Sequence, residues 1–238
     1  MSEIEGVPEN FAQPLGHANG RANGRAAARS TLPEQEQRSG KLRDSMRFVR
    51  RFLKSPGSVG AVLPSSRHLA CTMVRDLNLA RGDLVVEYGP GTGPMTQALQ
   101  QLELRSRGID YLGIELDEKF QAALSGRYPD MPFHLGSVAE VERILRERGL
   151  GQAKVIISGL PFASLPREVQ SSVVRGTYSV LREDGEFRTF QYVHAYNLPA
   201  ARRFRRMMAA VFSGYRRSTP VLRNVPPAYV LSYSKTWV

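Results

Sequence analysis

The stretch that decides the fold runs from Val85 to Pro94 and reads VVEYGPGTGP. A hydrophobic run ends with an acid, Glu87, and glycines then occupy every second position, at 89, 91 and 93. Pro94 suits the first turn of a helix, and the glycines let the backbone approach a ligand at the helix N-terminus. The stretch therefore predicts a strand, a ligand-binding loop and a helix. It leaves open whether the ligand is a phosphate, a dinucleotide or another nucleotide-like molecule.

The residues around the glycines argue against two of these ligands. In the dinucleotide fingerprint a glycine stands three places after the second glycine, and in a P-loop a lysine follows the glycines. Here Pro94 holds the first position, and the loop has no such lysine. Glu87, an acid beside the loop, favours a positively charged ligand over a phosphate.

The rest of the chain alternates between two periodicities. Apolar runs at 83–88, 111–116, 131–136 and 154–159 alternate with helical patterns at 94–104, 118–127, 138–148 and 166–181. This alternation indicates an α/β sandwich with a parallel sheet. After a further apolar run at 185–193 come a basic amphipathic helix at 200–217 and extended runs at 218–223 and 229–238. We expect the last two to form a closing antiparallel hairpin.

The N-terminal part divides into a tail and two helices. Residues 1–40 are rich in Gly, Pro, Asn, Ala and Glu, a composition that predicts disorder. Residues 41–54, KLRDSMRFVRRFLK, predict a basic amphipathic helix that either packs on its own domain or lies in a lipid interface. The membrane contacts would then include Arg47, Phe48, Arg50, Arg51 and Phe52. A second helix, with a serine cap at 65 or 66, would cover the substrate. We assign 41–80 to these helices and 81–238 to the main domain.

Composition narrows the partners and the compartment. The net charge is +11: residues 1–40 carry −1 and residues 41–238 carry +12, a charge that fits binding to nucleic acid or to an anionic membrane. Cys71 is the single cysteine, so an internal disulfide is impossible, and its helical pattern predicts a small core residue. The four histidines have no ligand-like spacing, so we expect no metal. No apolar run approaches the roughly 20 residues that span a bilayer, and no signal peptide is evident. We expect a soluble or peripheral cytoplasmic protein.

Glu87 and the glycines, with Glu115 at the end of the second predicted strand, resemble the pattern of Rossmann-like, class I S-adenosylmethionine methyltransferases. A carboxylate after that strand can accept both ribose hydroxyls. The resemblance implies S-adenosyl-L-methionine as cofactor. Ser137 takes the place after the third strand where this family often has an acid. The implied cofactor-binding residues are Glu87, Gly89, Gly91, Thr92, Gly93, Glu115, Ser137 and Ser158.

The fourth predicted strand ends in SGLPF, residues 158–162. Methyltransferases that act on an exocyclic base amine commonly carry Asn or Asp where this chain has Gly159. The missing side chain argues against a nucleobase substrate. An RNA N-methyltransferase of the rRNA adenine type is nevertheless the alternative, because the basic charge also suits nucleic acid.

Four stretches together resemble the bacterial phospholipid N-methyltransferases and the closely similar ornithine lipid N-methyltransferases. They are VGAVLPSSRHLA (59–70), VVEYGPGTGPMT (85–96), SGLPFASLP (158–166) and VLRNVPPAYV (221–230). The resemblance covers roughly residues 45–238. It implies successive methylation of the primary amine of phosphatidylethanolamine or ornithine lipid at the inner face of the cytoplasmic membrane. It implies neither a nucleic-acid partner nor a protein partner.

Candidate catalytic residues follow the fifth predicted strand. His194 is a candidate base, with an ordinary core or hydrogen-bonded histidine as the alternative, and Tyr192 and Tyr196 offer aromatic faces to a methylated ammonium. At the start of the second helix, Arg67 would meet a headgroup phosphate, with a solvated arginine as the alternative. The remaining predicted substrate-binding residues are Ser66, Gly159, Pro161 and Phe162.

Overall fold

The structure is a computed structural model, and it describes residues 65–236. The predicted tail at 1–40 and the predicted helix at 41–54 lie outside the described residues. So do the membrane contacts predicted on that helix, Arg47, Phe48, Arg50, Arg51 and Phe52. Within residues 65–236, no helix is both long enough and apolar enough to cross a bilayer.

One seven-stranded sheet organises the described residues. Its strands are β1 Leu84–Tyr88, β2 Asp110–Glu115, β3 Phe133–Leu135, β4 Ala153–Ser158, β5 Leu181–Tyr192, β6 Gly214–Arg217 and β7 Ala228–Ser234. They lie in the order β3-β2-β1-β4-β5-β7-β6. The first five are parallel, whereas β7 pairs antiparallel with both β5 and β6. The predicted α/β, Rossmann-like sheet with a closing antiparallel hairpin is confirmed.

Six helices in this part of the chain cover the two faces of the sheet. They are α1 Arg67–Val74, α2 Pro94–Gln100, α3 Glu118–Arg127, α4 Val141–Glu147, α5 Arg167–Val180 and α6 Pro199–Ala209. Alternate residues of β1 serve opposite faces: Val85 packs in the core beneath α1, α2 and α3, and Val86 packs in the core beneath α4, α5 and α6. All five β1 residues are buried, as expected for a parallel strand covered on both sides.

Two elements in the C-terminal part of the chain differ from the sequence prediction. The predicted helix at 200–217 ends at Ala209, and its last four residues instead form β6. Residues 218–223 were expected to be extended, but they form no strand: Ser218 exchanges hydrogen bonds with Val230, and Val221 forms an isolated bridge to Ala228. Pairing of Gly214–Arg217 with Leu231–Ser234 is a long-range contact, and it overrides the local helical pattern.

Helix α1 corrects the expectation for Cys71. The buried residues of this helix are Leu69, Ala70, Met73 and Val74. At 100° per residue, position 71 then falls on the outer face, and Cys71 is exposed rather than in the core. The cap is as predicted, since the Ser66 hydroxyl accepts a hydrogen bond from the Leu69 N–H at 3.2 Å.

Candidate active site

The carboxyl edge of the parallel strands brings most of the predicted site residues together. The strand order reverses between β1 and β4, and ligands of open α/β sheets bind in the crevice at such a switch point. One groove at this edge is lined by Gly89, Ile114, Glu115, Leu116, Gly136, Ser137, Val138, Leu160, Leu165 and Val169. It contains three predicted cofactor residues from three different segments: Gly89, Glu115 and Ser137.

The glycine loop has the backbone conformation that its sequence predicts. Gly89, Gly91 and Gly93 all have positive φ, at 61°, 58° and 87°. At Gly89 a Cβ atom would lie 2.6 Å from the Leu160 side chain, so a larger residue would have to displace Leu160 and also adopt a positive φ. Gly93 then caps α2, with Pro94 in its first turn. Thr92 is exposed at the tip of the loop.

The Glu115 carboxylate is buried and held by three backbone donors. Its Oε2 accepts from the Gly91 N–H at 2.9 Å, and its Oε1 accepts from the N–H groups of Leu116 at 2.8 Å and Asp117 at 2.9 Å. A carboxylate offers about four acceptor positions, so about one remains for a ligand. Accepting both ribose hydroxyls, as expected from the sequence, therefore requires one of them to replace a backbone donor.

Glu87 is fully buried on β1 beneath the loop. Its Oε2 accepts from the Tyr111 hydroxyl at 2.6 Å and the Thr96 hydroxyl at 2.9 Å. Burial raises the pKa of Glu87 to about 7; these two hydrogen bonds oppose the rise, and the charge of Glu115 adds to it. Oε1 is also buried and has no hydrogen-bond partner among the described residues.

A buried carboxylate oxygen without a donor is costly unless a donor or positive charge lies near it. The acidic pair of Glu87 and Glu115 therefore fits a cationic, hydroxyl-bearing ligand such as S-adenosylmethionine better than a phosphate.

Ser137 and Ser158 have local structural bonds. The Ser137 hydroxyl accepts from the Ala139 N–H at 3.2 Å and opens a short 3-10 helix, Val138–Glu140, at the rim of the groove. Ser158 is fully buried, and its hydroxyl accepts from the Leu160 N–H at 3.3 Å. Their predicted contacts with the cofactor stay predictions.

The SGLPF segment passes directly behind the glycine loop. The Gly159 N–H donates to the Tyr88 carbonyl at 2.9 Å, and a Cβ at Gly159 would lie 2.9 Å from the Gly89 carbonyl oxygen. Pro161 precedes a short 3-10 helix, Phe162–Ser164. The Phe162 ring stacks on Phe204 with centroids 4.8 Å apart and is buried in the core. This position gives the ring a packing role, and its substrate contact stays a prediction.

The aromatic residues after β5 differ in what they contact. Tyr192 is half-buried, and its ring stacks on the exposed His194 with centroids 5.7 Å apart. Burial raises the pKa of Tyr192. The ring of Tyr196 is covered by the guanidinium of Arg205 at 3.7 Å, and its hydroxyl pairs with that of Tyr215 at 3.0 Å. Tyr196 thus already has a cation on its face.

Ser66 and Arg67 reach the same edge through a loop at the other end of the chain. The Ser66 N–H donates to the Asn224 side-chain oxygen at 2.8 Å, and the neighbouring Pro227 carbonyl accepts from the Val193 N–H at 2.8 Å. Val193 directly follows β5, so these bonds join the α1 cap to the carboxyl edge. Arg67 is exposed there.

Sequence reasoning missed three residues of this region: Thr96 and Tyr111, which hold Glu87, and Asn224, which holds the α1 cap. A signal for Tyr111 exists in the sequence. Tyr111 is the one residue with a hydroxyl group between Asp110 and Glu115, and the other three residues there are apolar. Asn224 carries no such signal, because its partner lies 158 residues away. Within residues 65–236 no group of three or more His, Cys, Asp or Glu side chains could hold a metal ion.

Comparisons with known proteins give the family. No family model matches the chain. The ornithine lipid N-methyltransferase of Singulisphaera acidiphila is 30% identical over 190 residues, which are 79% of this chain and 94% of that protein. The ribosomal RNA small subunit methyltransferase A of Thermotoga petrophila is 25% identical over 136 residues, 54% of this chain and 48% of that protein.

A solved structure supports the fold. Aeropyrum pernix fibrillarin, crystallised with natively bound S-adenosyl-L-methionine, superposes with a TM-score of 0.51 at 14% identity, covering 69% of this chain and 73% of that one. The ornithine lipid N-methyltransferase shares 30% identity with this chain along nearly its whole length. The chain therefore belongs to the ornithine lipid N-methyltransferase family, and it is a class I S-adenosylmethionine-dependent methyltransferase.

Proposed function

We propose that this enzyme methylates the primary amine of a membrane aminolipid, in successive steps, at the inner face of the cytoplasmic membrane. The observation that carries the proposal is the similarity to an ornithine lipid N-methyltransferase along 94% of that protein's length. Ornithine lipid is accordingly the first acceptor to test, and phosphatidylethanolamine is the second.

The cofactor is held by the acidic pair and the glycine loop. When bound, S-adenosylmethionine supplies a methyl group on a positively charged sulfur, which a neutral amine can attack. Glu115 accepts from the ribose, and Glu87 lowers the free energy of the positive end through its buried, unpartnered Oε1. Gly89 and Gly159 let the loop pack closely on the SGLPF segment, because a Cβ atom at Gly89 would lie 2.6 Å from the Leu160 side chain and one at Gly159 would lie 2.9 Å from the Gly89 carbonyl oxygen.

The acceptor amine must lose a proton before it reacts, because its ordinary pKa is about 10, like that of lysine. His194 is exposed at the carboxyl edge beside Tyr192, and we assign it the role of receiving that proton. The exposed guanidinium of Arg67 binds the anionic group of the headgroup. Tyr192 supplies an aromatic face for the increasingly cationic product.

The basic surface supports docking on anionic lipid. On α6 the apolar residues Ala201, Phe204 and Met208 are buried in the core, whereas Arg202 and Arg206 are exposed. Arg216 and Arg217 on β6 are exposed too. Each base near an anionic membrane contributes about 1 kcal/mol. Helix α6 can therefore attract the membrane by charge, but its apolar face is not free to enter it.

The competing proposal is methylation of RNA. It is favoured by the similarity to a ribosomal RNA methyltransferase, which extends over about half of each chain. Gly159 argues against it. A Cβ at Gly159 would lie 2.9 Å from the Gly89 carbonyl oxygen, so an Asn or Asp at this position would require the glycine loop to shift.

Incubation of the full chain with labelled S-adenosylmethionine tests the proposal. Detergent-dispersed ornithine lipid, phosphatidylethanolamine and ribosomal RNA serve as separate acceptors, and products are separated by chromatography. We expect labelled mono-, di- and trimethyl lipid and unlabelled RNA. Glu115→Ala is the control, because it should lose at least tenfold in cofactor affinity when a hydrogen bond to a charged group, worth roughly 1.5–3 kcal/mol, is removed. Label in RNA alone would overturn the proposal.

A further inference from the structure

We propose that the loop between β6 and β7, residues 218–227, inserts into the lipid surface and positions the active site over its acceptor. This inference rests on the proposed function and names the surface through which the enzyme meets its substrate. We call these residues the 218–227 loop.

Two large aliphatic side chains of the 218–227 loop are open to solvent. Leu222 is 72% exposed and Val225 is 69% exposed, and these are the highest values for large hydrophobic residues in the described part of the chain. Arg223 lies between them and is exposed as well. Single exposed hydrophobic residues are normal, but neighbouring ones on a fixed loop mark an interaction site.

The loop is held in place rather than loosely tethered. Asn224 is buried, and its side chain accepts from the Ser66 N–H at 2.8 Å and donates to the Pro226 carbonyl at 2.7 Å. Its own N–H donates to the Val221 carbonyl at 3.2 Å. Asn224 is thus turned into the protein, whereas Leu222, Arg223 and Val225 around it are exposed.

The loop lies beside the proposed acceptor site. Ala228, the first residue of β7, pairs with Tyr192, the last residue of β5, which places the loop at the carboxyl edge. Leu198, 54% exposed, belongs to the segment that follows β5 at the same edge. An amine attached to lipid would therefore reach His194 and Tyr192 from the side on which these aliphatic residues stand.

The charges at this edge fit an anionic lipid surface. Hydrogen bonds join the 218–227 loop to residues 65–68 through Ser66 and to residues 192–198 through Val193, and these three segments contain Arg67 and Arg223 but no Asp or Glu. Aliphatic side chains flanked by arginine suit the boundary between acyl chains and phosphates. Two aliphatic residues are far fewer than the 20–30 residues a side of a specific protein interface, and the 218–227 loop itself has no aromatic residue on which an RNA base could stack.

The test uses the double variant L222S/V225S of the full chain, with L135S as the matched control. Leu135 is a 46% exposed leucine on β3, at the opposite end of the sheet from β7. Partition onto vesicles containing anionic lipid and the aminolipid acceptor is measured by sedimentation. Methylation is measured both in vesicles and with a short-chain, water-soluble acceptor, and melting temperature is recorded for each protein.

We expect L222S/V225S to bind vesicles at least tenfold more weakly and to lose vesicle methylation in proportion. Its melting temperature and its activity on the soluble acceptor should match the parent, because both side chains are exposed. L135S should bind vesicles as the parent does. If the double variant binds vesicles as the parent does, the loop assignment is wrong. The proposed function would still stand in that case, provided that the parent methylates lipid. Absence of lipid methylation by the parent, even in detergent, would instead count against the function.

Discussion

Glu87 is an acid without any contact with solvent, and its protonation links the cofactor site to stability. The ordinary pKa of a glutamic acid is 4.5, and burial raises that of Glu87 to about 7. Between these values the folded chain holds a proton that the unfolded chain has lost. The free energy of unfolding must then fall as pH rises through this window. The contribution is fully present below pH 4.5 and lost above pH 7.

The cofactor-free protein should therefore be less stable at pH 8 than at pH 5, and Glu87 should account for roughly 3 kcal/mol of that difference. Urea unfolding across this pH range measures it. Glu87→Gln cannot ionise and should flatten the dependence, whereas Glu118→Gln, which changes an exposed glutamate, should leave it unchanged. Equal pH slopes in the parent and in Glu87→Gln would contradict the effect.

At the scale of single residues, the sequence predicted groups that act locally and missed those that act across strands. The glycines and Glu115 could be identified from the sequence because they lie at or directly after the end of a predicted strand. The bonds from Tyr111 and Thr96 to Glu87 depend on strand register and helix placement, with Val85 opposite Tyr111. The sequence alone could not predict that Glu87 is buried with a raised pKa, because both depend on how the strands and helices pack.

At the scale of elements, α1 and the 218–227 loop form one unit through Asn224. This side chain is buried and satisfies the Ser66 N–H and the Pro226 carbonyl, two groups that no intrahelical bond would satisfy. The sequence predicted the α1 cap, since serine before an apolar helical pattern is a local signal. It could not predict that a distant loop completes the cap.

Asn224→Ala should destabilise the protein more than Ser66→Ala does. The first change leaves two backbone groups without a hydrogen-bond partner, and each one that stays buried lowers the free energy of unfolding by about 1–3 kcal/mol. The second removes only the cap hydroxyl, at about 1 kcal/mol, and keeps the Ser66 N–H bonded to Asn224. Calorimetric melting of both variants makes the comparison. If Ser66→Ala proves the more damaging change, Asn224 does not fasten the loop.

At the scale of the whole molecule, the proposed docking on a membrane depends on the distribution of charge. The net charge is +11, and the exposed arginines of α6 contribute to it while the apolar face of that helix is buried. The sequence reading of 200–217 as one helix could not separate these roles. Its period is helical throughout, and only pairing with β7 divides it into α6 and β6.

Vesicle binding by the full chain should rise with the fraction of anionic lipid and weaken as salt rises from about 0.05 M to 0.5 M, because exposed charges are screened within about 10 Å at 0.1 M. Sedimentation with vesicles of graded composition measures this. The L222S/V225S variant should keep the same salt dependence at a lower overall affinity, since it retains every arginine. Equal binding of the parent to neutral and anionic vesicles would contradict the charge-driven step.

The position of β7 in the sheet has a consequence for biosynthesis. Among the described strands β7 comes last in the chain, yet it lies inside the sheet, where seven of its residues pair with β5 and four with β6. While the ribosome still holds β7, β5 presents an open edge that could pair with another chain. The 218–227 loop likewise takes its place only when β7 is paired. The surface that we propose to face the membrane is therefore completed only after the whole sheet has been translated, and docking on lipid should require the finished protein.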